Sequence, residues 1–294
     1  MKTFSLLIAN FKIDIVADDS VKGFPTNYKP FMYDGEGETL LTYEVTASET
    51  DDTDYTGELM GSFSDLGYRQ DVIGRPEGGY VFRIYDTNEQ LAATMASDAQ
   101  FKNNKVRLHS EDITSKTFGI NNTLMIAFAF SSAYHSTLMM HSSVIKKDGR
   151  GYMFLGKSGT GKSTHSSLWL KHIEGTELLN DDNPILRIID GKAIVFGTPW
   201  SGKTPCYKQD YAPVGGIVML EQKPFNHIDK ENVVTALTSM LCSCSIMIWD
   251  KPSYNALMNT ISNIITLVGI HHLGCLPDKA AAELSYRTLS AQDA

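Results

Sequence analysis

Alternating apolar and polar residues dominate the first third of the chain. Apolar and polar residues alternate at a period of two in Lys12–Ile15, Thr42–Thr46 and Tyr80–Tyr85. This alternation is typical of half-buried β-strands. Turn-forming residues such as those of Arg75–Gly79 separate the strands. The pattern predicts a β-rich N-terminal domain over residues 1–115, in which the sequence contains no recognisable catalytic constellation.

Further along, the pattern changes to helices that alternate with short strands. An apolar segment without strict alternation, 121–138, predicts a helix, and 139–145 predicts a strand. Asp148-Gly149 is a strong hairpin signal because the turn needs positive φ angles, and a second hairpin is predicted with its turn at Asp190-Gly191. The other predicted elements are helices near 163–172, 229–245, 252–268 and 278–289 and strands near 151–155, 177–179, 185–189, 193–196, 214–220 and 269–275. Strands and helices in this order predict an α/β domain over residues 116–294.

A glycine-rich segment directly follows the strand near 151–155. Gly156-Lys157-Ser158-Gly159-Thr160-Gly161-Lys162-Ser163 matches the motif G-x-x-x-x-G-K-[ST]. Glycines permit backbone angles that let successive N–H groups converge on one anion, and the following helix directs its N-terminus at the same place. We therefore predict that this loop binds the phosphates of a nucleoside triphosphate, ATP with Mg²⁺, through Gly156, Ser158, Gly159, Thr160, Gly161, Lys162, Ser163 and Thr164.

The loop assigns two side chains to distinct tasks. Lys162 is expected to reach the β- and γ-phosphates, and Ser163 is expected to place its hydroxyl on the metal. Phosphoryl transfer also needs a carboxylate near the metal and a group that accepts a proton. Asp181 and Asp182 stand at the end of a predicted strand shortly beyond the loop, and the pair allows a division of labour between metal and acceptor. A polar turn between Asn180 and Pro184 is the alternative interpretation.

Two further features lie close to the loop in sequence. Gly197–Thr204 is a second polar, glycine-bearing loop, in which Lys203 can neutralise phosphate charge and Trp200 can exclude water. An ordinary hairpin exit explains the same residues equally well. His141 precedes the glycine-rich loop by one hairpin and is a candidate catalytic residue, although a lone histidine is more often structural.

Composition and the apolar pattern argue against several classes of function. The 294 residues carry 34 acidic and 26 basic side chains, a formal net charge of −8, which argues against a nucleic-acid partner. The apolar run in the first ten residues is too short for a signal peptide. No stretch approaches 18 uninterrupted apolar residues, so no membrane partner is expected. The chain is expected to be cytoplasmic.

Three motifs carry a family resemblance. His141-Ser142-Ser143, the loop Gly156–Thr164 and Leu179-Asn180-Asp181-Asp182 occur in this order at short spacing. Together they resemble the C-terminal domain of HPr kinase/phosphorylase and the nucleotide-binding core of phosphoenolpyruvate carboxykinase. The resemblance covers about residues 120–290 and implies an α/β fold with a P-loop nucleotide-binding core of that type, preceded by a smaller β-rich domain.

The resemblance implies a kinase that transfers the γ-phosphoryl group of ATP to a hydroxyl of a small molecule, peptide or protein. The same resemblance implies that Lys162 binds phosphate and that Ser163 and Asp182 lie near Mg²⁺. It makes Asp181 the candidate general base, with the two aspartates interchangeable. A carboxykinase-like enzyme and a non-catalytic nucleotide-binding regulator are the alternatives. The sequence does not identify the acceptor of the phosphoryl group. Assembly into a homo-oligomer is left open.

Overall fold

A computed structural model gives the fold as a mixed α/β protein with two large sheets. Contacts between residues divide the chain into two compact units, Met1–Ser132 and Ala133–Ala294. None of the helices in the described part of the chain has the length and apolar character that crossing a bilayer requires. The structure describes residues 1–47, 56–65, 68–202 and 204–291.

The first unit is a sheet packed against one long helix, α1 (Ile113–Ser132). Gly119 of α1 lies so close to the sheet that a Cβ there would be 3.0 Å from the Cβ of Ala93. The helix buries Leu124 and Phe128 completely, which indicates that apolar contact with the sheet holds it. The strands are β1 (Lys2–Ile8), β2 (Phe11–Ala17), β3 (Met32–Tyr33), β4 (Thr39–Thr46), β5 (Glu58–Asp65), β6 (Tyr68–Gly74), β7 (Tyr80–Tyr85), β8 (Leu91–Ser97) and β9 (Asn103–Leu108), in the sheet order β3-β1-β2-β4-β9-β8-β7-β6-β5.

The division between the units falls after α1. The sequence pattern predicts a boundary between residues 115 and 116, which would assign most of α1 to the second domain. In the structure α1 packs on β8, β4 and β9 and therefore belongs to the first unit. An apolar helix between two domains contains no local sign of which sheet will cover its buried face, so the sequence pattern could not decide this point.

The second unit contains the glycine-rich loop. Its strands are β10 (Thr137–Met139), β11 (Ser142–Lys147), β12 (Arg150–Leu155), β13 (Thr176–Asp182), β14 (Ile185–Ile189), β15 (Lys192–Phe196), β16 (Tyr211–Gln222), β17 (His227–Lys230) and β18 (His271–Cys275). Its helices are α2 (Lys162–His172), α3 (Val233–Leu241), α4 (Lys251–Val268) and α5 (Lys279–Ser290).

Helices cover both faces of the second sheet. The strand order is β10-β14-β15-β16-β12-β11-β13, and β18 pairs with both β16 and β17. One face packs Phe154 and Leu220 against Trp169 of α2. The opposite face packs Leu155 against a cluster that includes Ile261 of α4. Three layers of this kind bury the central strands and expose their ends.

Local turn chemistry is the best-predicted part of this unit. The two predicted hairpins are confirmed: β11 and β12 meet at Asp148-Gly149, and β14 and β15 meet at Asp190-Gly191. All four turn residues have φ between 48° and 75°, as such turns require. The predicted strand 139–145 is wrong as a single element, because β10 ends at Met139 and β11 begins at Ser142.

Candidate active site

The carboxyl ends of several strands meet at one edge of the second sheet. β11 runs antiparallel to both β12 and β13, so these two strands point the same way. Ser142 of β11 pairs with Leu155 of β12 on one side and with Asp182 of β13 on the other. Since neighbouring strands are about 4.8 Å apart, the start of the glycine-rich loop and the acidic pair are about 10 Å apart. This edge is where open α/β sheets bind ligands.

Three glycines shape the loop between β12 and α2. Gly156, Gly159 and Gly161 have φ angles of 151°, 81° and 105°, which side chains with a Cβ rarely adopt. Gly161 is also the N-cap residue of α2. The loop therefore runs directly into a helix N-terminus, whose free N–H groups and dipole favour an anion. The strand–loop–helix context that the motif requires is present.

The side chain of Lys162 folds back over this loop. Its Nζ donates hydrogen bonds to the carbonyl oxygens of Gly156 (2.8 Å) and Lys157 (3.4 Å). Burial lowers the pKa of the Lys162 amine, while the carboxylates of Asp182 and Asp181 act in the opposite direction. An ammonium group thus lies between the loop and the acidic pair, where it can neutralise phosphate charge.

Ser163, in the first turn of α2, contacts the acidic pair directly. Its hydroxyl donates a hydrogen bond to Oδ1 of the buried Asp181, at 3.0 Å. The hydroxyls of Ser143 and Ser166 share a hydrogen bond of 2.6 Å, which joins β11 to α2 close to this contact. The family resemblance implies that Asp182 lies with Ser163, with the two aspartates interchangeable. In the structure the carboxylate that contacts Ser163 is that of Asp181.

Asp182 faces a different partner. Its Oδ1 lies 3.2 Å from Nδ1 of His141, and its Oδ2 accepts a hydrogen bond of 2.8 Å from the amide of Asn183. The backbone N–H of His141 is held by the carbonyl of Ser243, at 2.7 Å. The side chains of Asp182 and His141 are 33% and 46% exposed. This carboxylate can therefore be reached by a molecule from solvent, whereas Asp181 is covered.

The site can be tested for its fit to Mg²⁺ from its oxygen donors. Magnesium is usually held by one or two carboxylates together with substrate phosphates rather than by a full protein cage. Asp181 and Ser163 supply a carboxylate and a hydroxyl at the end of the phosphate loop, so the donors fit. In the described part of the chain, no group of three or more His, Cys, Asp or Glu side chains forms a complete cage.

The second polar loop, Gly197–Thr204, is anchored to the end of β13. The backbone N–H of Gly202 donates a hydrogen bond of 2.7 Å to the carbonyl of Asp181. A Cβ at Gly202 would lie 2.8 Å from that same carbonyl oxygen, so the close approach requires glycine. The predicted phosphate contact of Lys203 lies outside the described residues. Trp200 is buried, and its carbonyl accepts a hydrogen bond of 3.2 Å from Asn180.

The side chain of Asn180 joins β13 to the second polar loop, a role that the sequence does not predict. Its amide nitrogen also donates to Oγ1 of Thr198, at 3.1 Å, and its oxygen accepts from the backbone N–H of Asp182, at 3.1 Å. The side chain is fully buried. A buried amide with several partners is stable only as a complete network. The sequence hinted at this position only through a polar residue next to the acidic pair.

Replacing Asn180 with alanine should lower the free energy of unfolding by about 2–4 kcal/mol, because buried partners lose their hydrogen bonds. Urea unfolding would measure the change. Asn263→Ala, at an exposed position of α4, is the matched control and should change the value by less than about 0.5 kcal/mol. Equal effects of the two substitutions would contradict the proposed anchoring role of Asn180.

His165 of α2 lies under the loop in a buried polar cluster. Its Nε2 is 3.0 Å from the hydroxyl of Ser285 and accepts a hydrogen bond of 3.2 Å from the indole N–H of Trp169. Burial lowers the pKa of His165 to about 4. The ring is therefore neutral at physiological pH, and it joins α2 to α5 as a structural residue.

This burial has a pH-dependent consequence for stability. The unfolded chain protonates His165 near pH 6.5, whereas the folded chain resists protonation down to about pH 4. The contribution of the neutral ring is complete above pH 6.5 and is lost as the pH falls through this window, by up to about 3 kcal/mol. Urea unfolding at pH 7 and pH 5 should show a smaller loss of stability in His165→Gln than in the wild type. Identical losses in both would refute this assignment.

Similarity to known proteins is found among solved structures. No family model matches the chain, and no curated protein matches it. Among solved structures, the chain is similar to one described as the Hpr(Ser) kinase/phosphatase from Coxiella burnetii, with 13% sequence identity and a TM-score of 0.30. The match covers 53% of this chain and 95% of that chain. A likeness at this level does not establish a shared fold or function, so the resemblance to the HPr kinase family stays a prediction.

Proposed function

We propose that the second unit is a phosphotransferase, which transfers the γ-phosphoryl group of a nucleoside triphosphate to a hydroxyl group. The observation that carries the proposal is the contact between Ser163 and Asp181 at the end of the glycine-rich loop. A phosphate loop alone serves any nucleotide-binding protein. A hydroxyl and a carboxylate in contact beside that loop, with a second carboxylate open to solvent, support transfer.

The two aspartates are proposed to have separate roles. Asp181, which is buried against Ser163, would hold Mg²⁺ together with that hydroxyl and the phosphates. Bound there, the metal would supply positive charge that stabilises the developing negative charge of the reaction. Asp182 is exposed and paired with His141, so it is the group that an acceptor can reach. This assignment exchanges the roles that the family resemblance implied.

The proposed chemistry is an in-line displacement at the γ-phosphorus. The acceptor hydroxyl oxygen forms a bond to phosphorus as the bond to the β,γ-bridging oxygen breaks, and the nucleoside diphosphate leaves with that electron pair. The hydroxyl proton passes to the carboxylate of Asp182, while Lys162 neutralises charge on the phosphates. His141 can orient Asp182 through the contact at its Nδ1.

Incubation of the whole protein with ATP labelled at the γ-phosphate tests this proposal. The acceptors would be a pool of hydroxyl-bearing metabolites and serine- or threonine-containing peptides. Movement of label onto one component, dependent on Mg²⁺ and abolished in Lys162→Ala, is the expected result. Tight ATP binding without transfer to any component or to water would contradict the kinase proposal and favour a nucleotide-binding regulator.

A further inference from the structure

A cleft of about 660 Å³ opens beside the glycine-rich loop. It lies towards the carboxyl ends of β16 and β18, whereas the acidic pair lies on the other side of β12, at the end of β13. Its volume is in the range of sites that take small molecules, about 300–1,000 Å³. Gly161 and Thr164 border both the loop and the cleft, so a ligand bound at the loop would extend directly into it.

Gln222, the last residue of β16, connects the wall of the cleft to the loop by hydrogen bonds. The side-chain amide of Gln222 donates hydrogen bonds to the carbonyl oxygens of Gly159 and Thr160, each at 3.3 Å. Its position in the cleft wall is thereby fixed relative to the phosphate loop. This contact could not be predicted from the sequence, since it depends on the parallel pairing of β16 with β12.

Two backbone N–H groups at the wall of the cleft, on the side away from the loop, have partners within the protein. The N–H of Lys223 donates to the carbonyl of Cys275, at 3.1 Å, and the N–H of Leu276 donates to Oδ1 of Asn226, at 2.7 Å. The next lining residue after each of these is a proline, Pro224 or Pro277, which has no N–H.

Among the described side chains that line the cleft, the charged group of Lys223 is paired and the remaining surface is neutral. Nζ of Lys223 is paired with Glu221, at 2.7 Å. His165 is neutral, because burial lowers its pKa to about 4. Leu168, Leu220 and Leu276 supply apolar surface. Among the described residues that line the cleft there is no Asp or Glu.

A triphosphate held at the loop as proposed has one orientation that fits both sides of the loop. Phosphates on the loop leave two directions for the rest of the ligand, towards Asp181 or towards the cleft. The γ-phosphate would lie beside Asp181 and Ser163, the residues that would hold a metal, and near the exposed carboxylate of Asp182. The nucleoside end must then point to the cleft, which is largely apolar and suits an aromatic base.

We infer that this cleft holds the nucleoside of the triphosphate by apolar contact and selects only weakly between adenine and guanine. The inference rests on the proposed phosphate binding at the loop. The two purines differ in the donors and acceptors on their edges. Strong discrimination, on the order of 10⁴-fold, comes from buried hydrogen-bonding groups placed to read such edges. The N–H groups of Lys223 and Leu276 and the side-chain amide nitrogen of Gln222 instead donate to acceptors within the protein.

Calorimetric titration with three ligands tests whether the cleft contributes to affinity and how strongly it selects between the purines. ATP, GTP and inorganic tripolyphosphate would each be added to the whole protein with Mg²⁺. ATP and GTP should bind within about tenfold of one another, and both should bind more tightly than tripolyphosphate, which fills the loop but not the cleft. A preference for one purine above about 100-fold would overturn the inference of weak selection.

Cys275 lines the cleft and allows a second test by its reaction with N-ethylmaleimide. Mass spectrometry should show that ATP slows labelling of Cys275 at least about fivefold and tripolyphosphate does not, because only ATP would cover the thiol. Exposed Cys242 in the same molecule is the internal control. The Cys242→Ser protein should show the same protection at Cys275. ATP binding that leaves Cys275 equally reactive would overturn the cleft assignment alone, whereas failure of both ligands to bind would contradict the phosphate loop as well.

Discussion

Asp181→Asn should lower the rate of phosphoryl transfer by about 10³-fold, since removing one group that stabilises charge in the transition state commonly costs 10²–10³. Asparagine keeps the shape and an oxygen that can still accept the hydrogen bond from Ser163, so the fold should be retained. The negative charge that would hold Mg²⁺ is lost. We therefore expect weaker Mg²⁺-dependent nucleotide binding as well, measured by transfer assays and by titration of ATP at several Mg²⁺ concentrations.

The control for this variant is Asp190→Asn. Asp190 is an exposed residue in the turn between β14 and β15 and has a φ of 48°, a conformation that asparagine tolerates. It removes the same charge from the same unit away from the loop. If Asp181→Asn matched the control in both transfer rate and Mg²⁺ dependence, Asp181 would have no role at the metal.

Asp182→Asn should separate binding from chemistry. Loss of the general base is expected to lower transfer by about 10²–10⁴-fold. Nucleotide affinity should change by less than about threefold, because Asp182 contacts His141 and Asn183 rather than Ser163. Steady-state kinetics together with calorimetric binding of ATP would measure both quantities.

The pair of variants is more informative than either alone. The proposed division of roles requires that Asp181→Asn changes the dependence on Mg²⁺ and that Asp182→Asn does not. Reversed behaviour would restore the assignment that the family resemblance implied, with Asp182 at the metal and Asp181 as base. Unchanged transfer in Asp182→Asn would exclude this residue as the acceptor of the proton.

The division between the aspartates shows what the sequence can and cannot specify. The glycine-rich loop and the acidic pair were found from residue types and order, since the motif depends on local backbone chemistry. The sequence pattern predicts a strand at 177–179 that ends before Asn180, whereas β13 continues through Asp182. Consecutive residues of a strand face opposite sides of the sheet, so Asp181 meets α2 and Asp182 meets His141. That assignment depends on strand extent and register, which long-range pairing determines.

Other contacts could not be predicted from the sequence, for the same reason. The anchor at Asn180 joins β13 to a loop that follows β15, and the contact of Gln222 joins β16 to the loop after β12. Each needs two segments that are distant in sequence to be neighbours in the sheet. The hairpins at Asp148-Gly149 and Asp190-Gly191, by contrast, depend only on residues that adopt positive φ locally.

Calorimetric titration of the whole protein with ATP and Mg²⁺, wild type against Lys162→Ala, tests most directly whether the loop at Gly156–Ser163 holds a triphosphate. The ammonium group of Lys162 lies over this loop, and its removal should weaken binding by at least about 100-fold, as expected for loss of a buried charge contact. Saturable binding by the wild type with none detectable in Lys162→Ala is the predicted result. Equal affinity in the two proteins, or no binding by the wild type, would contradict it.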